Sequence, residues 1–285
     1  MKLALGTVQF GMHYGITNGN CKTARCDAHN ILECALKNNI SMIDTAANYG
    51  DSERVLGTFG MKPFSVVTKL PSEIIGNEHN WVKKNFKISL NNLKVSKVYG
   101  LLLHRSDHIS SKSKAGVIRA LRELKDDGLV SKIGISIYNP DELENIPKDF
   151  KIDLVQAPFN ILDRRLLNSG WLDRLYDNGV EVHARSAFLQ GLLLTEPKKI
   201  PSFFTPWAPL FEEWRSWLNH NKISAAEACL AFLNNHKISY VVFGALNIEQ
   251  FTEILEASRV SYLGDFPNIA CNDKNLINPS YWKTT

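Results

Sequence analysis

The sequence predicts an α/β fold, a (β/α)8 barrel forming one domain over residues 1–285. Three observations carry that expectation. Short apolar, β-branched runs recur eight times, most of them separated by stretches with helical spacing, and 285 residues is close to the roughly 250 of such a barrel. A doubly wound open sheet is the alternative for alternating strands and helices. It loses ground because no G-x-G-x-x-G turn follows an early strand.

In chain order, KLALG (2–6) reads as the first buried strand, and AHNILECALKNN (28–39) as a helix whose closing Asn suits a left-handed C-terminal residue. ISMIDT (40–45) is an apolar run that ends in polar residues. SVVTKL (65–70) follows, backed by the helical stretch WVKKNFKISLNNLK (81–94). VYGLLLH (98–104) is the fourth strand and AGVIRALRELKDDG (115–128) its helix. KIGISI (132–137) and IDLVQA (152–157) are strands five and six; LLNSGWLDRLYDNG (166–179) leads to VEVHAR (180–185), and AAEACLAFLNNH (225–236) to YVVFGA (240–245). Residues 187–223 break the beat, with Pro197, Pro201, Pro206, Pro209, Trp207, Trp214 and Trp217. They are expected to form a long aromatic loop that shapes a pocket, its tryptophans packing locally or stacking on a sugar or aromatic substrate. The tail, 261–285, is similarly irregular and holds Phe266, Tyr281 and Trp282.

Composition excludes more than it identifies. Lys and Arg number 33 against 29 Asp and Glu, a net charge of +4 that is too thin to name a nucleic-acid or membrane partner. No run approaches the roughly 20 apolar residues of a membrane span, and MKLALGTVQF lacks the features of a secretory signal, so the cytoplasm is the expected compartment. Cys21, Cys26, Cys34, Cys229 and Cys271 form no C-x-x-C pair and are odd in number. Plain thiols are expected, with neither a zinc site nor a disulfide framework. Lys83, Lys84, Lys87, Lys94 and Lys97 read as a solvated face. His104-Arg105 and Asp107-His108 read as neighbours that point apart, so no metal site is expected.

A barrel carries its chemistry at the C-terminal ends of its strands, where polar residues end apolar runs. Strand two ends in Asp44, followed by Tyr49; strand three ends in Lys69 and strand four in His104. Each has a bland explanation: a turn cap, a loop aromatic, a solvated strand end, a hydrogen-bonded core histidine. Four such causes would have to coincide on consecutive strands. Together the groups can donate a proton to a carbonyl oxygen. A phenol has a pKa near 10, and a cation about 4 Å away at an effective dielectric of about 20 is worth roughly 4 kcal/mol, or about three pK units. Lys69 is thus expected to acidify Tyr49, with Asp44 keeping Lys69 charged and His104 orienting the substrate oxygen. The set supplies no electrons. A hydride donor has to come from a bound cofactor.

D-T-A-A-N-Y-G-D-S-E (44–53), V-T-K-L (67–70) and L-L-L-H (101–104) resemble the aldo-keto reductase family, and the similarity runs from G-T-V-Q-F-G (6–11) to G-A-L-N-I-E-Q (244–250). The resemblance implies a (β/α)8 barrel using NADPH or NADH, with Asp44, Tyr49, Lys69 and His104 as its catalytic tetrad and Tyr49 as the acid. It implies cofactor contacts from Gly6, Thr7 and Asp44, and from Ser136 and Gln156 at the nicotinamide carboxamide, with Asn160 accompanying Gln156. Ser186 and Gly191 would line the pyrophosphate loop, and Gly244, Asn247 and Gln250 the adenosine end. Three positions depart from the pattern. Ile137 stands where an asparagine usually follows the serine; Arg185 replaces the tyrosine that stacks on the nicotinamide, a role its guanidinium plane can also fill. The third departure is that no Lys or Arg marks the adenosine 2′-phosphate site, where Asn247 is left to cap the last barrel helix and free backbone N–H groups for phosphate.

The expected function is nicotinamide-dependent reduction of a small-molecule carbonyl substrate. F-L-Q-G-L-L-L (188–194) resembles a bacterial subset associated with surface sugars, which adds a keto-sugar or sugar nucleotide to small aldehydes as candidates. A cofactor-binding sensor without useful turnover and a redox-neutral epimerase are the alternatives. The sequence does not fix the oligomeric state.

Overall fold

Period-two alternation within short strands decides the architecture. In the computed structural model, which describes residues 2–16, 21–110, 114–262 and 264–282, eight strands form. They are β1 (Lys2–Gly6), β2 (Met42–Asp44), β3 (Ser65–Lys69), β4 (Val98–Leu103), β5 (Val130–Ser136), β6 (Leu154–Pro158), β7 (Glu181–Arg185) and β8 (Tyr240–Phe243). Every strand pairs in parallel with its sequence neighbour, and β8 closes onto β1. This is the expected (β/α)8 barrel. Each strand overlaps its predicted run, with ends shifted by at most two residues.

The helices longer than one turn are α1 (Arg25–Lys37), α2 (Ser52–Phe59), α3 (Glu78–Leu93), α4 (Lys114–Asp126), α5 (Trp171–Asp177), α6 (Ala208–Asn221), α7 (Ala225–Asn234) and α8 (Ile248–Ala257). Their ends follow local chemistry. Ser224 and Glu227 form a reciprocal capping box at α7, Asn77 accepts from Asn80 N at α3, and Asn39, Gly128 and Gly179 take the left-handed conformation expected where helices stop. Between β5 and β6 the crossover is a 3₁₀ turn, Pro140–Asn145, rather than an α-helix.

Two apolar layers result. Ala4, Met42, Val67, Leu102 and Leu154 fill the barrel interior, while a larger cluster lies between the strands and the surrounding helices. The floor of the barrel is polar. Glu181 accepts from Tyr99 at 2.7 Å and Lys132 at 2.8 Å and lies 3.4 Å from His183. Burial opposes the Glu181 charge, but the neighbouring His183, Lys132 and Tyr99 overcome that and hold its pKa down to about 2.

Over 187–223 the first residues, Ala187, Phe188, Gln190, Gly191, Leu194 and Thr195, line a pocket, while the tryptophans pack locally, the first of the two roles expected of them. Three 3₁₀ turns lead into α6, and the aromatics pack on one another and on the tail. Trp214, 2% exposed, stacks on Trp217 at 5.6 Å; Trp217 meets Phe266, also at 5.6 Å; Phe204 meets Trp282 at 4.9 Å. A buried aromatic removes roughly 150–250 Å² from water, worth several kcal/mol at about 25 cal/mol per Å², which an open pocket wall would forgo. Residues 263 and 283–285 of the tail lie outside the described residues. The five cysteines are free thiols.

Candidate active site

The strand period also builds the site. Side chains two residues apart point to the same face of a strand, and the interior residues Ala4, Met42, Val67, Leu102, Leu154 and Val242 lie two positions before Gly6, Asp44, Lys69, His104, Gln156 and Gly244. Everything that follows an interior apolar residue at the C-terminal end therefore faces the barrel mouth. A cleft of about 450 Å³ opens there. Its walls include Gly6, Thr7, Asp44, Tyr49, His104, Ser136, Gln156, Arg185, Ser186, Gly191, Gly244 and Gln250.

Three expected site residues, Lys69, Asn160 and Asn247, do not line the cleft. Lys69, 1% exposed, lies behind Asp44, and Asn247 caps α8 by accepting from Gln250 N at 3.0 Å. Gln250 answers by accepting from Leu246 N at 3.0 Å, so its amide oxygen serves the turn. Thr7, Gln156 and Asn160 are also committed within the protein. Thr7 donates its hydroxyl to the Asp44 carbonyl, Gln156 Nε2 donates to Asp44 Oδ1 at 2.7 Å, and Asn160 Nδ2 donates to the Ser186 carbonyl at 3.0 Å. Each positions the site from beneath.

Asp44, Tyr49, Lys69 and His104 are brought together, but their electrostatics differ from the sequence expectation. Lys69 Nζ donates to both oxygens of Asp44 at 2.8 Å and to the Thr45 carbonyl at 2.9 Å, with Tyr49 OH at 3.4 Å. Burial pushes the Lys69 pKa down, and Asp44 pulls it back. The Tyr49 phenol is not acidified. Burial moves its pKa above the ordinary 10, Asp44 adds to the rise, and Arg185 acts against it. Burial is the larger cause, and Lys69, bound at both carboxylate oxygens of Asp44, does not offset it. The Tyr49 phenol is held in its protonated form.

His104 meets the edge of the Tyr49 ring with centroids 6.0 Å apart, and its buried Nδ1 has no hydrogen-bond partner. Burial, followed by the charges of Lys69 and Arg185, lowers its pKa from 6.5 to about 4. It is neutral at pH 7. A depressed histidine pKa means that the unfolded chain binds a proton that the folded one does not. The His104 contribution to stability is therefore complete above pH 6.5 and is lost as pH falls through about 4. NMR of the His104 ring is expected to show no titration between about pH 6 and 8; a midpoint near the free histidine value overturns the assignment.

Sequence reasoning missed what seats Tyr49. A Cβ on Gly11 would lie 1.6 Å from the Tyr49 carbonyl oxygen and 2.5 Å from Ser52 N, so the turn that presents Tyr49 rests on the bare backbone of residue 11. Only the closing glycine of G-T-V-Q-F-G hinted at it. Gly11→Ala is expected to lower turnover on the order of 100-fold, the scale of a misplacement of about 1 Å, with nucleotide affinity little changed. Paired kinetic and binding titrations check this; unchanged turnover would show that the turn relaxes without moving the phenol. Also missed were Gln9, Tyr14 and Tyr138, which line the same cleft. Burial and the nearby Tyr49 push Tyr14 up to about 12.

The lining suits a nicotinamide dinucleotide. From Ser186 to Gly191 the backbone is left-handed at Ser186 (φ 60°), Leu189 (φ 48°), Gln190 (φ 53°) and Gly191 (φ 90°). Each non-glycine costs on the order of 1–3 kcal/mol, and the change of hand between Phe188 and Leu189 is the arrangement of an anion-binding nest. Gln9 Oε1, buried in the same wall, has no hydrogen-bond partner and would accept from a ligand hydroxyl or amide. No group of three His, Cys, Asp or Glu among the described residues could hold a metal ion, and no helix among them is long and apolar enough to cross a membrane. Arg105 pairs with Asp107, and His108 bonds to the Ser72 carbonyl.

Comparison with known proteins gives a consistent answer. The model of the aldo/keto reductase family matches residues 2–265. An uncharacterized oxidoreductase of Bacillus subtilis (strain 168) is 26% identical over 267 residues, covering 85% of each chain. A glyoxal reductase of the same organism is 28% identical over 188 residues, 64% of this chain and 63% of its own. An NADH-specific methylglyoxal reductase of Escherichia coli (strain K12) is 34% identical over only 79 residues, 28% of this chain and 24% of its own. Among solved structures, the holo form of an aldo-keto reductase from Bacillus halodurans superposes with a TM-score of 0.75 at 22% identity, covering 92% of this chain and 88% of that one.

Proposed function

This chain belongs to the aldo/keto reductase family, a family of NAD(P)H-dependent oxidoreductases, and from that premise we propose that it reduces an aldehyde or ketone with Tyr49 as the proton donor. The observation that carries the reading is the meeting of Asp44, Tyr49, Lys69 and His104 at one mouth of the barrel. Reduced nicotinamide, when bound, supplies the hydride that reaches the carbonyl carbon. As the C=O π pair moves to oxygen, the Tyr49 O–H bond breaks and its proton completes the alcohol. Lys69 steadies the phenolate left behind, Asp44 holds Lys69, and neutral His104 hydrogen-bonds the substrate oxygen. A proton from solvent restores the phenol. Gln9, Ser136, Ser186 and Gly191 would hold the dinucleotide, and Gln156 would act through Asp44.

We further propose that NADH serves at least as well as NADPH. The residues after β8 are Gly244, Ala245, Leu246 and Asn247, and the wall at α8 adds Gln250 and Glu253, so no cation meets a 2′-phosphate dianion. The local similarity to an NADH-specific enzyme supports this. The glyoxal and methylglyoxal activities named for two relatives put short 2-oxoaldehydes first in a substrate panel and keto-sugars second. A cytoplasmic reaction fits both.

The test is carbonyl-dependent oxidation of NADH and NADPH by the purified protein. Turnover with KM for NADH no higher than for NADPH is expected. Failure to bind either nucleotide overturns the reading. Binding without single-turnover oxidation favours a sensor, for which Ile137 and Arg185 are the motivating residues, and isomer formation without net oxidation favours an epimerase.

A further inference from the structure

Arg185 is a cation that its surroundings aim but do not neutralise. Of the described residues lining the cleft, Asp44, Arg185 and Glu253 are the charged ones, and Asp44 is neutralised by Lys69. No carboxylate among the described residues lies within ion-pair distance of Arg185. Its partners are the Tyr138 ring, 4.3 Å from the guanidinium carbon, the Ile137 carbonyl at 3.0 Å from Nη2, and Ser186 Oγ at 3.5 Å from Nη1. All three are neutral.

The charge is felt where reaction occurs. Arg185 opposes the rise in the Tyr49 and Tyr14 pKa values and helps lower that of His104. A hydride donor must come within about 3–3.5 Å of a carbonyl carbon whose oxygen touches Tyr49 and His104, so it enters the same field. A nicotinamide ring is neutral when reduced and carries one positive charge when oxidised, and the phosphates are common to both forms. Only the oxidised ring is repelled.

We propose that Arg185 sets the redox preference of the site, holding the reduced nicotinamide more tightly than the oxidised one. The inference rests on the cofactor reading above and adds a direction to it. The oxidised product leaves readily after each reduction, and the bound reduced form becomes a weaker donor by the same factor, because binding and redox equilibria are linked. The expected preference is about tenfold, equivalent to about 1.4 kcal/mol or about 30 mV for a two-electron couple.

Isothermal titration with NADH and with NAD⁺ tests this on the wild-type protein, Arg185→Lys and Arg185→Gln. NADH is expected to bind about tenfold more tightly to the wild type and to Arg185→Lys. In Arg185→Gln the ratio is expected to fall to within about threefold, chiefly through tighter NAD⁺ binding. Equal affinities in the wild type overturn the proposal without recourse to any variant. A ratio unchanged in Arg185→Gln, including an equal loss of both affinities, also overturns it, since it marks a merely structural role. Failure of both nucleotides to bind the wild type would instead reject the cofactor reading itself.

Discussion

Tyr49→Phe is expected to lower kcat/KM for carbonyl reduction by about 10²–10⁴-fold while nucleotide affinity stays within about twofold of wild type. The substitution removes one oxygen and its proton and leaves the ring that packs against His104. A hydride that reaches the carbonyl carbon would then leave an alkoxide with no adjacent acid. Steady-state kinetics and nucleotide titrations, run together, separate this from a binding defect. Retention of turnover within about threefold would mean that His104 or water supplies the proton. The pH profile provides a second check. Because burial and Asp44 raise the Tyr49 pKa above 10, the donor stays protonated well into the alkaline range, and reduction is not expected to fall below about pH 9 through its loss. A depressed phenol, as the sequence suggested, would produce a decline near neutrality.

Lys69→Met is expected to destabilise the fold by about 3–5 kcal/mol, because it leaves the Asp44 carboxylate buried without its cation. For a chain of this size that is a fall in Tm on the order of 10 °C. Gln156 still donates to Asp44 Oδ1, but one neutral amide does not offset a buried charge. Asp44→Asn is expected to act in the same direction by stranding the ammonium. The double variant Lys69→Met with Asp44→Leu removes both charges and is expected to recover much of the lost stability while remaining inactive, since a buried ion pair adds little net stability over apolar packing. Thermal denaturation of the three proteins checks this. A Tm for Lys69→Met within about 2 °C of wild type would show that water reaches the pair and that Asp44 is not isolated.

Much of the site was legible because strand chemistry is local. Asp44, Lys69 and His104 each end an apolar run, and alternation along a strand turns such residues toward the mouth whatever lies elsewhere in the chain. Ser136, Gln156 and Arg185 were placed by the family resemblance. Tyr49, on a turn, was placed by family motif. For the tryptophans of 187–223 local packing was one expected role but the partners were not legible, because a run of aromatics and prolines does not reveal which distant rings it will meet; here they include Tyr262, Phe266 and Trp282.

The sequence by itself determined a closed eight-stranded barrel and the chemical groups at its open end, since both follow from periodicity and from residue identity at strand ends. Only the tertiary structure decided how those groups act on one another. The pairing of Lys69 with Asp44 spans 25 positions and the bond from Gln156 to Asp44 spans 112. Burial and the Asp44 charge raise the Tyr49 pKa despite Lys69, and Arg185 is left with neutral partners only among the described residues. The field at one oxygen depends on distances between residues remote in the chain, and no local pattern encodes those distances.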